Sequence, residues 1–368
     1  MERHLHDKPT ARESLAINYA KAMGIVMVVI GHYHGSLFDF YRPYTFHMPL
    51  FFFIGGLLLD PRAGARKFYA GIARKHVLYA VSTYLVVGSM AVLFRNGLGA
   101  DIQGDPFNGS IREILLANYE SNFEQNTYFL VLWFIVCYAA TSSALFPIIK
   151  ATREWRFSSA VYVLAILALG YLGMETFADR FHEGKDIGFN YLSQICTASA
   201  FYLAGYVARP FLWRSLSLYG FIAAFFVMYV SSRTGFDHAV VMAWSKYPDG
   251  FVMSFLRIFC GIYSTFYLSW VLSSERMELF ETAGRESKAI MSYHLIGYLF
   301  LDLVFHTLGL YDIRDATPLD HFSSPVFSPL YIILPTLMPI ACAICYRKAK
   351  AGLYSKAKVE ISRRLVPR

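Results

Sequence analysis

Residues 17–59 read INYAKAMGIVMVVIGHYHGSLFDFYRPYTFHMPLFFFIGGLLL. Crossing a bilayer core takes about 20 consecutive apolar residues; the run 17–37 meets that length, and 44–59 is a shorter companion. Eight more such runs follow at 76–94, 128–149, 159–177, 191–212, 218–230, 251–272, 288–310 and 326–346, of which 218–230 is again short. Composition points the same way. Of 368 residues 56% are apolar and only 16% charged, where a soluble domain carries about 25% charge, and the mean hydropathy is +0.39. Net charge is +8 and pI about 9.1, yet 32 Phe and 26 Tyr exclude a disordered or nucleic-acid-binding chain. The expected fold class is all-α: a polytopic integral membrane protein of about ten transmembrane helices.

Lys and Arg placement orients the spans. One side collects 23 of them, in the N-terminal tail, the loop from Arg62 to Lys75, the loops at Lys150–Arg156, Arg209–Arg214 and Arg276–Lys288, and the tail from Arg347 to Arg364. The other side holds eight: Arg42, Arg95, Arg112, Arg180, Lys185, Arg233, Lys246 and Arg314. Both termini are therefore expected in the cytoplasm. The chain divides into a tail at 1–16, a transmembrane domain at 17–346 and a basic tail at 347–364. Residues 365–368, Leu-Val-Pro-Arg, read as the remnant of a thrombin-cleavable tag. No soluble domain fits: the longest gap, 95–127, is polar and contains Gly. Five Cys lie in apolar stretches, and the pair Cys342-x-x-Cys345 reads as buried free thiols rather than half of a metal site.

Charged groups inside a bilayer are costly and therefore mark function. Lys21 and His32 are eleven residues apart, an offset of about 20° and a rise of about 16 Å on an α-helix. They share one stripe with Asn18, with Lys21 near the cytoplasm and His32 deep in the membrane; His34 falls on the far side. On one reading Lys21 holds an anionic ligand at the mouth while His32 serves as a base further along. On the other, Lys21 snorkels and His32 is hydrogen-bonded to a neighbouring helix. Spacing leaves the two level. In the second span Pro49 suits a helix start, which puts His47 at its outer mouth, and Gly55-Gly56 allows close approach of a helix or ligand.

These two spans resemble the acyltransferase 3 family, membrane O-acyltransferases that modify bacterial surface sugars. The resemblance rests on a basic residue, ten residues and then His, as in KAMGIVMVVIGH from Lys21 to His32, and on FHMPLFFFIGGLLL at 46–59. The second span is closest in wording to the fucose 4-O-acetylase and exopolysaccharide O-acetyltransferase branch. Weaker echoes are Trp133-Phe134, Tyr202-Leu-Ala-Gly205-Tyr206 and Tyr293-His294-Leu295. The sequence departs from the family pattern at Asn18, where Asp is frequent, at Lys21, where Arg is commoner, and at Leu78-Tyr79-Ala80, which lacks a Pro.

The resemblance implies transfer of an acetyl group from cytoplasmic acetyl-CoA to a sugar hydroxyl of a cell-surface polysaccharide or its lipid-linked precursor, in a bacterial cytoplasmic (inner) membrane. Acetyl-CoA, that acceptor and membrane lipids are the partners expected, with neither nucleic acid nor metal. His32 and His47 are the catalytic candidates. Lys21, Arg66, Lys67, Arg74 and Lys75 are candidates for holding the phosphates of coenzyme A, although positive-inside charge or anionic lipid accounts equally for the loop cluster. Arg257 and His294, inside later spans, join the cofactor-binding set; Arg257 needs a phosphate, an acyl oxygen or a carboxylate such as Asp302. Asp302, His306 and Glu175 fit satisfied polar residues beside a cleft equally well. His182, His238 and His321 have no i, i+4 partner for a metal. Direct transfer and an acyl-His relay both fit, as does a succinyl or other acyl donor. The alternative from another class is a secondary transporter, where buried Lys, Arg and His are also normal, but no pseudo-symmetric pair of broken segments is visible.

Overall fold

A computed structural model describes residues 9–33, 43–98, 105–236, 238–324 and 326–365, with side chains as far as residue 349. His34, Arg42 and the tag-like residues 366–368 lie outside the described residues, as do the side chains of the cations from Lys350 onward.

The chain opens with α1 (Ala11–Gly31), six residues ahead of the expected span. The cause is a reciprocal cap: Glu13 N donates to Thr10 Oγ1 at 3.3 Å and Thr10 N to Glu13 Oε2 at 2.7 Å, which satisfies two orphan donors and fixes the helix start. Part of the expected tail is therefore helical. Lys21 lies at the middle of α1 rather than at its mouth, and His32 is its C-cap. Next come α2 (His47–Leu57), α3 (Ala65–Ile72), a π-turn at Ala73–Val77 and α4 (Leu78–Leu98). The polar gap holds an unforeseen amphipathic helix, α5 (Ile111–Glu120), started by a Ser110–Glu113 capping box. There follow α6 (Leu132–Thr152), α7 (Ser158–Tyr171), α8 (Ala178–Gly184), α9 (Ile187–Ala208), the short α10 (Leu212–Ser215) and α11 (Leu218–Arg233). The last four are α12 (Gly250–Leu272), α13 (Glu278–Arg285), α14 (Ser287–Thr307) and α15 (Ser328–Leu365).

This is an all-helical, polytopic membrane protein. Among the described residues seven helices are long and apolar enough to cross a bilayer: 11–31, 65–97, 132–152, 158–184, 250–272, 287–307 and 328–349. The other three expected spans are helical too but stand outside that set, for different reasons. The helix α9 has 22 residues but buries Asn190, Ser193, Gln194 and Thr197. The helices α2 and α11 are short, with 11 and 16 residues. At 1.5 Å per residue α2 rises only about 16 Å, roughly half a bilayer core.

What α2 lacks in length it makes up in contact. A Cβ on Gly56 would stand 1.7 Å from Tyr202 O, and one on Gly205 1.9 Å from Phe53 O. The backbones of α2 and α9 therefore touch, a crossing that only Gly permits. The last turn of α2 is held by Arg209, whose Nε donates to Leu57 O at 2.8 Å and Nη2 to Leu59 O at 2.5 Å; a cation at a helix C-terminus also meets the negative end of its dipole. On the outside, Cys342 and Cys345 are free but exposed on α15. The expectation of burial within the protein therefore fails for these two among the described residues.

Candidate active site

Two cavities are stacked along the same four helices, α1, α2, α6 and α14. The first, about 150 Å³, is lined by Val28 and His32, by Tyr44, His47 and Met48, by Trp133, by His294 and Leu295, and by Glu124 and the loop 240–244. The second, about 210 Å³, is lined by Lys21, by Phe51, Gly55 and Leu58, by Phe134 and Tyr138, by Ser287, Lys288 and Met291, and by His76 from the π-turn. Met48 and Trp133 face the first cavity; Phe51 and Phe134, further along the same helices, face the second, and their rings meet edge-on at 6.1 Å.

Three imidazoles surround the first cavity. His32 Nδ1 faces Val28 O at 2.8 Å, His47 Nδ1 faces Pro43 O at 2.8 Å, and His294 Nδ1 faces Ile290 O at 3.1 Å and Met291 O at 3.0 Å. A carbonyl can only accept, so each Nδ1 carries the proton and each Nε2 keeps a lone pair. His294 Nε2 is buried with no hydrogen-bond partner among the described residues. The rings form a chain, with 5.1 Å between the centroids of His294 and His32, 5.6 Å from His32 to Tyr44 and 4.9 Å from Tyr44 to His47. Tyr298 donates its hydroxyl to Val29 O, which also accepts from His32 N, and so steadies the end of α1.

The wall opposite is a loop pushed into the bundle. Val241 and Lys246 pair as an antiparallel bridge, and Ser245 turns the chain at φ 50°, its Oγ 2.6 Å from Asn190 Oδ1. Ala243 O accepts from three amides at once: Asn122 at 2.7 Å, Asn190 at 3.1 Å and Gln194 at 2.6 Å. Beside it Trp244 Nε1 donates to Glu124 Oε1 at 2.9 Å. Loss of hydration pushes the Glu124 carboxyl up to about 7, against the opposing pull of the indole N–H.

The structure sorts the expected residues into groups. His32 and His47 share the first cavity, and His294, expected with the donor-binding set, joins them there instead. Lys21 lines the second, with His76 and Lys288. Arg66, Lys67, Arg74 and Lys75 are exposed on α3 and the π-turn; of these, Lys75 gives its carbonyl to the Lys288 ammonium. Arg257 lines neither cavity. It is 2% exposed and bonded to Asp249, with His238 O at 3.2 Å and Thr45 Oγ1 at 3.4 Å. Asp302 is not its partner, because Tyr331 at 2.5 Å and His321 at 2.8 Å already occupy that carboxylate at the far end of α14. Glu175 caps α12 through Phe251 N at 2.5 Å, and His306 faces Tyr311 O at 3.0 Å. Among the described residues no group of three or more His, Cys, Asp and Glu is arranged to hold a metal. Glu124, Trp244, His76 and Lys288 were not legible as site residues: the first three arrive through a loop or turn whose destination no periodicity reveals, and Lys288, in the first turn of α14, reads as one more positive-inside charge.

The chain matches the profile of the acyltransferase 3 family, described as an acyltransferase domain, over residues 14–345. No curated protein and no solved structure matches it.

Proposed function

From the premise that the chain belongs to the acyltransferase 3 family and is a membrane O-acyltransferase, we propose that it moves an acetyl group from acetyl-CoA to a sugar hydroxyl, His32 acting as base. The observation that carries this reading is the stacking of a cationic cavity and an imidazole cavity on one set of helices. Lys21, Lys288 and His76 suit the anionic part of the donor, with Arg66, Lys67, Arg74 and Lys75 at the approach to it. The acyl arm then passes between Phe51 and Phe134 toward His32.

The acceptor hydroxyl gives its proton to His32 Nε2 as its oxygen attacks the thioester carbonyl; the carbon–sulfur bond breaks, and the leaving thiolate takes that proton from His32, which restores the base. The charge that develops on His32 is offset in two ways. Nδ1–H already bonds Val28 O, and the ring sits at the C-terminal, negative end of α1. Glu124 and His47 orient the acceptor from the opposite wall. Arg257 positions that wall through Thr45, two residues before His47. The positive-inside bias favours cytoplasmic termini in a bacterial inner membrane, so the donor comes from the Lys21 side. A surface polysaccharide, or its lipid-linked unit, comes from the other.

The test is sidedness in sealed vesicles of known orientation. Labelled acetyl-CoA supplied only to the face bearing the basic loops yields acylated acceptor. Equal use of donor from the face bearing Arg314 defeats the topology.

A further inference from the structure

Between α14 and α15 the chain makes a tight turn, one residue of which reaches the first cavity. Thr317 N donates to Asp320 O at 3.0 Å and Asp320 N to Thr317 Oγ1 at 2.9 Å. Leu319 is left near the tip, where it lines the cavity that holds His32 while remaining 42% exposed. A lone exposed Leu is ordinary; the apparatus that holds this one is not. Asp302, about two turns beyond His294 on α14, is fully buried. Its Oδ1 accepts from Phe322 N at 3.1 Å and from the Tyr331 hydroxyl at 2.5 Å. Its Oδ2 lies 2.8 Å from His321 Nδ1, and His321 Nε2 reaches Pro318 O at 3.2 Å. A carbonyl can only accept, so Nε2 carries one proton, and the contact with Asp302 holds another that the pair shares. The pair is neutral as a whole, and each of its nitrogens and oxygens has a partner. Tyr33, next to His32 in the chain, adds a second tie: its hydroxyl donates to Phe322 O at 3.3 Å and accepts from Ser324 N at 3.3 Å.

A buried acid–base pair adds little net stability, because desolvation consumes the Coulombic gain; what it can do is fix a geometry. Here it fixes Pro318, and with it Leu319. We propose that Leu319 is a specificity residue that packs on the apolar C–H face of the acceptor sugar, and that Asp302 and His321 are positioning residues that present it. This rests on the sugar O-acylation reading above, in which the acceptor occupies the first cavity. Small-molecule sites pair a few placed polar groups with apolar walls. Glu124 and His47 then meet the hydroxyls, and Leu319 covers the ring face that has none.

The test follows acetyl transfer from acetyl-CoA to methyl glucoside, galactoside and mannoside by the full chain in proteoliposomes, with donor and acceptor KM measured separately. Leu319→Ala should raise acceptor KM about tenfold and leave donor KM and kcat little changed. His321→Ala should do the same, but in a Leu319→Ala background it should add less than about twofold, since the strut then has nothing to present. Two conservative variants separate positioning from folding. The shorter amide of His321→Asn reaches Asp302 and not Pro318, and should behave like His321→Ala. His321→Gln reaches Pro318 O with its NH2 and should recover most of the loss. An Asn variant that restores acceptor KM better than Gln would mean that pairing with Asp302 is all that counts, and overturns the positioning role. Unchanged acceptor KM in Leu319→Ala overturns the inference and leaves acyl transfer standing. Absence of transfer to every hexoside overturns the sugar-acceptor reading, and the inference with it.

Discussion

His32 and His294 meet edge-on in the lining of the first cavity, with ring centroids 5.1 Å apart and a 67° angle between their planes. One caps α1 and the other sits in the second turn of α14. Both are held by Nδ1 to their own helix, so neither ring needs the other for orientation. Loss of one therefore leaves the other in place. His32→Ala should cut turnover about 10²-fold or more while the protein stays folded; His294→Ala should cost less and act mainly on acceptor KM. A well-inserted His32→Ala variant with near-normal turnover defeats the base assignment.

Lys21 predicts a different signature. Removing a charge-assisted contact to the donor, as in Lys21→Ala, should raise the KM for acetyl-CoA about tenfold or more and leave acceptor KM alone. Lys21→Arg should retain much of the activity. A Lys21→Ala variant whose defect lies wholly in acceptor KM would show that the donor is held elsewhere.

Glu124 should make the reaction pH-sensitive. If its carboxylate orients the acceptor, kcat/KM should climb with pH through about 7, and Glu124→Gln should remove that limb. Stability moves the opposite way. A carboxyl raised in the folded state binds its proton more tightly there than in the unfolded chain. Its contribution is complete below the ordinary Glu value and lost as pH rises through about 7. Unfolding of wild type and Glu124→Gln, followed in one detergent at several pH values, should converge at acid pH and diverge toward neutrality, with no divergence if the group titrates normally.

The α2–α9 crossing gives the sharpest stability prediction. Gly56→Ala and Gly205→Ala each place a methyl on backbone carbonyl oxygen, a clash no rotamer relieves, and should destabilise by about 1–3 kcal/mol or abolish monodisperse protein. A Cβ on Gly97 meets nothing within 4 Å, so Gly97→Ala should be neutral or slightly stabilising. Thermal unfolding monitored by size-exclusion chromatography separates the two classes.

Helix content and the companionship of His32 with His47 could be read from the sequence, because hydropathy is local and a membrane leaves backbone few alternatives. The angular argument on Lys21 and His32 put both on the stripe that lines the two cavities. The frame of α1 was off by six residues because hydropathy is blind to a capping box in a charged tail. What stayed hidden is non-local. Positions 240–244, Val-Val-Met-Ala-Trp, are apolar enough to expect burial, but nothing in them says that the loop turns back into the bundle, where Asn122, Asn190 and Gln194 converge on one carbonyl. Arg257 was visible as a buried cation, but its partner Asp249 was not, since the loop that brings it round looks like any solvated turn.

On the proposed function the acyl arm passes the Phe51–Phe134 pair of the second cavity on its way to the first, and the two cavities are reached from opposite faces. A transmembrane voltage falls mainly where the low-dielectric layer is thinnest, which on that reading is at the two rings. One elementary charge moved through a full 100 mV drop is worth about 2.3 kcal/mol. A thiolate formed beside His32 and withdrawn between those rings would therefore cross most of the membrane potential over a few ångströms. Turnover in energised vesicles should then respond to an imposed potential, and reversing its sign should reverse the effect.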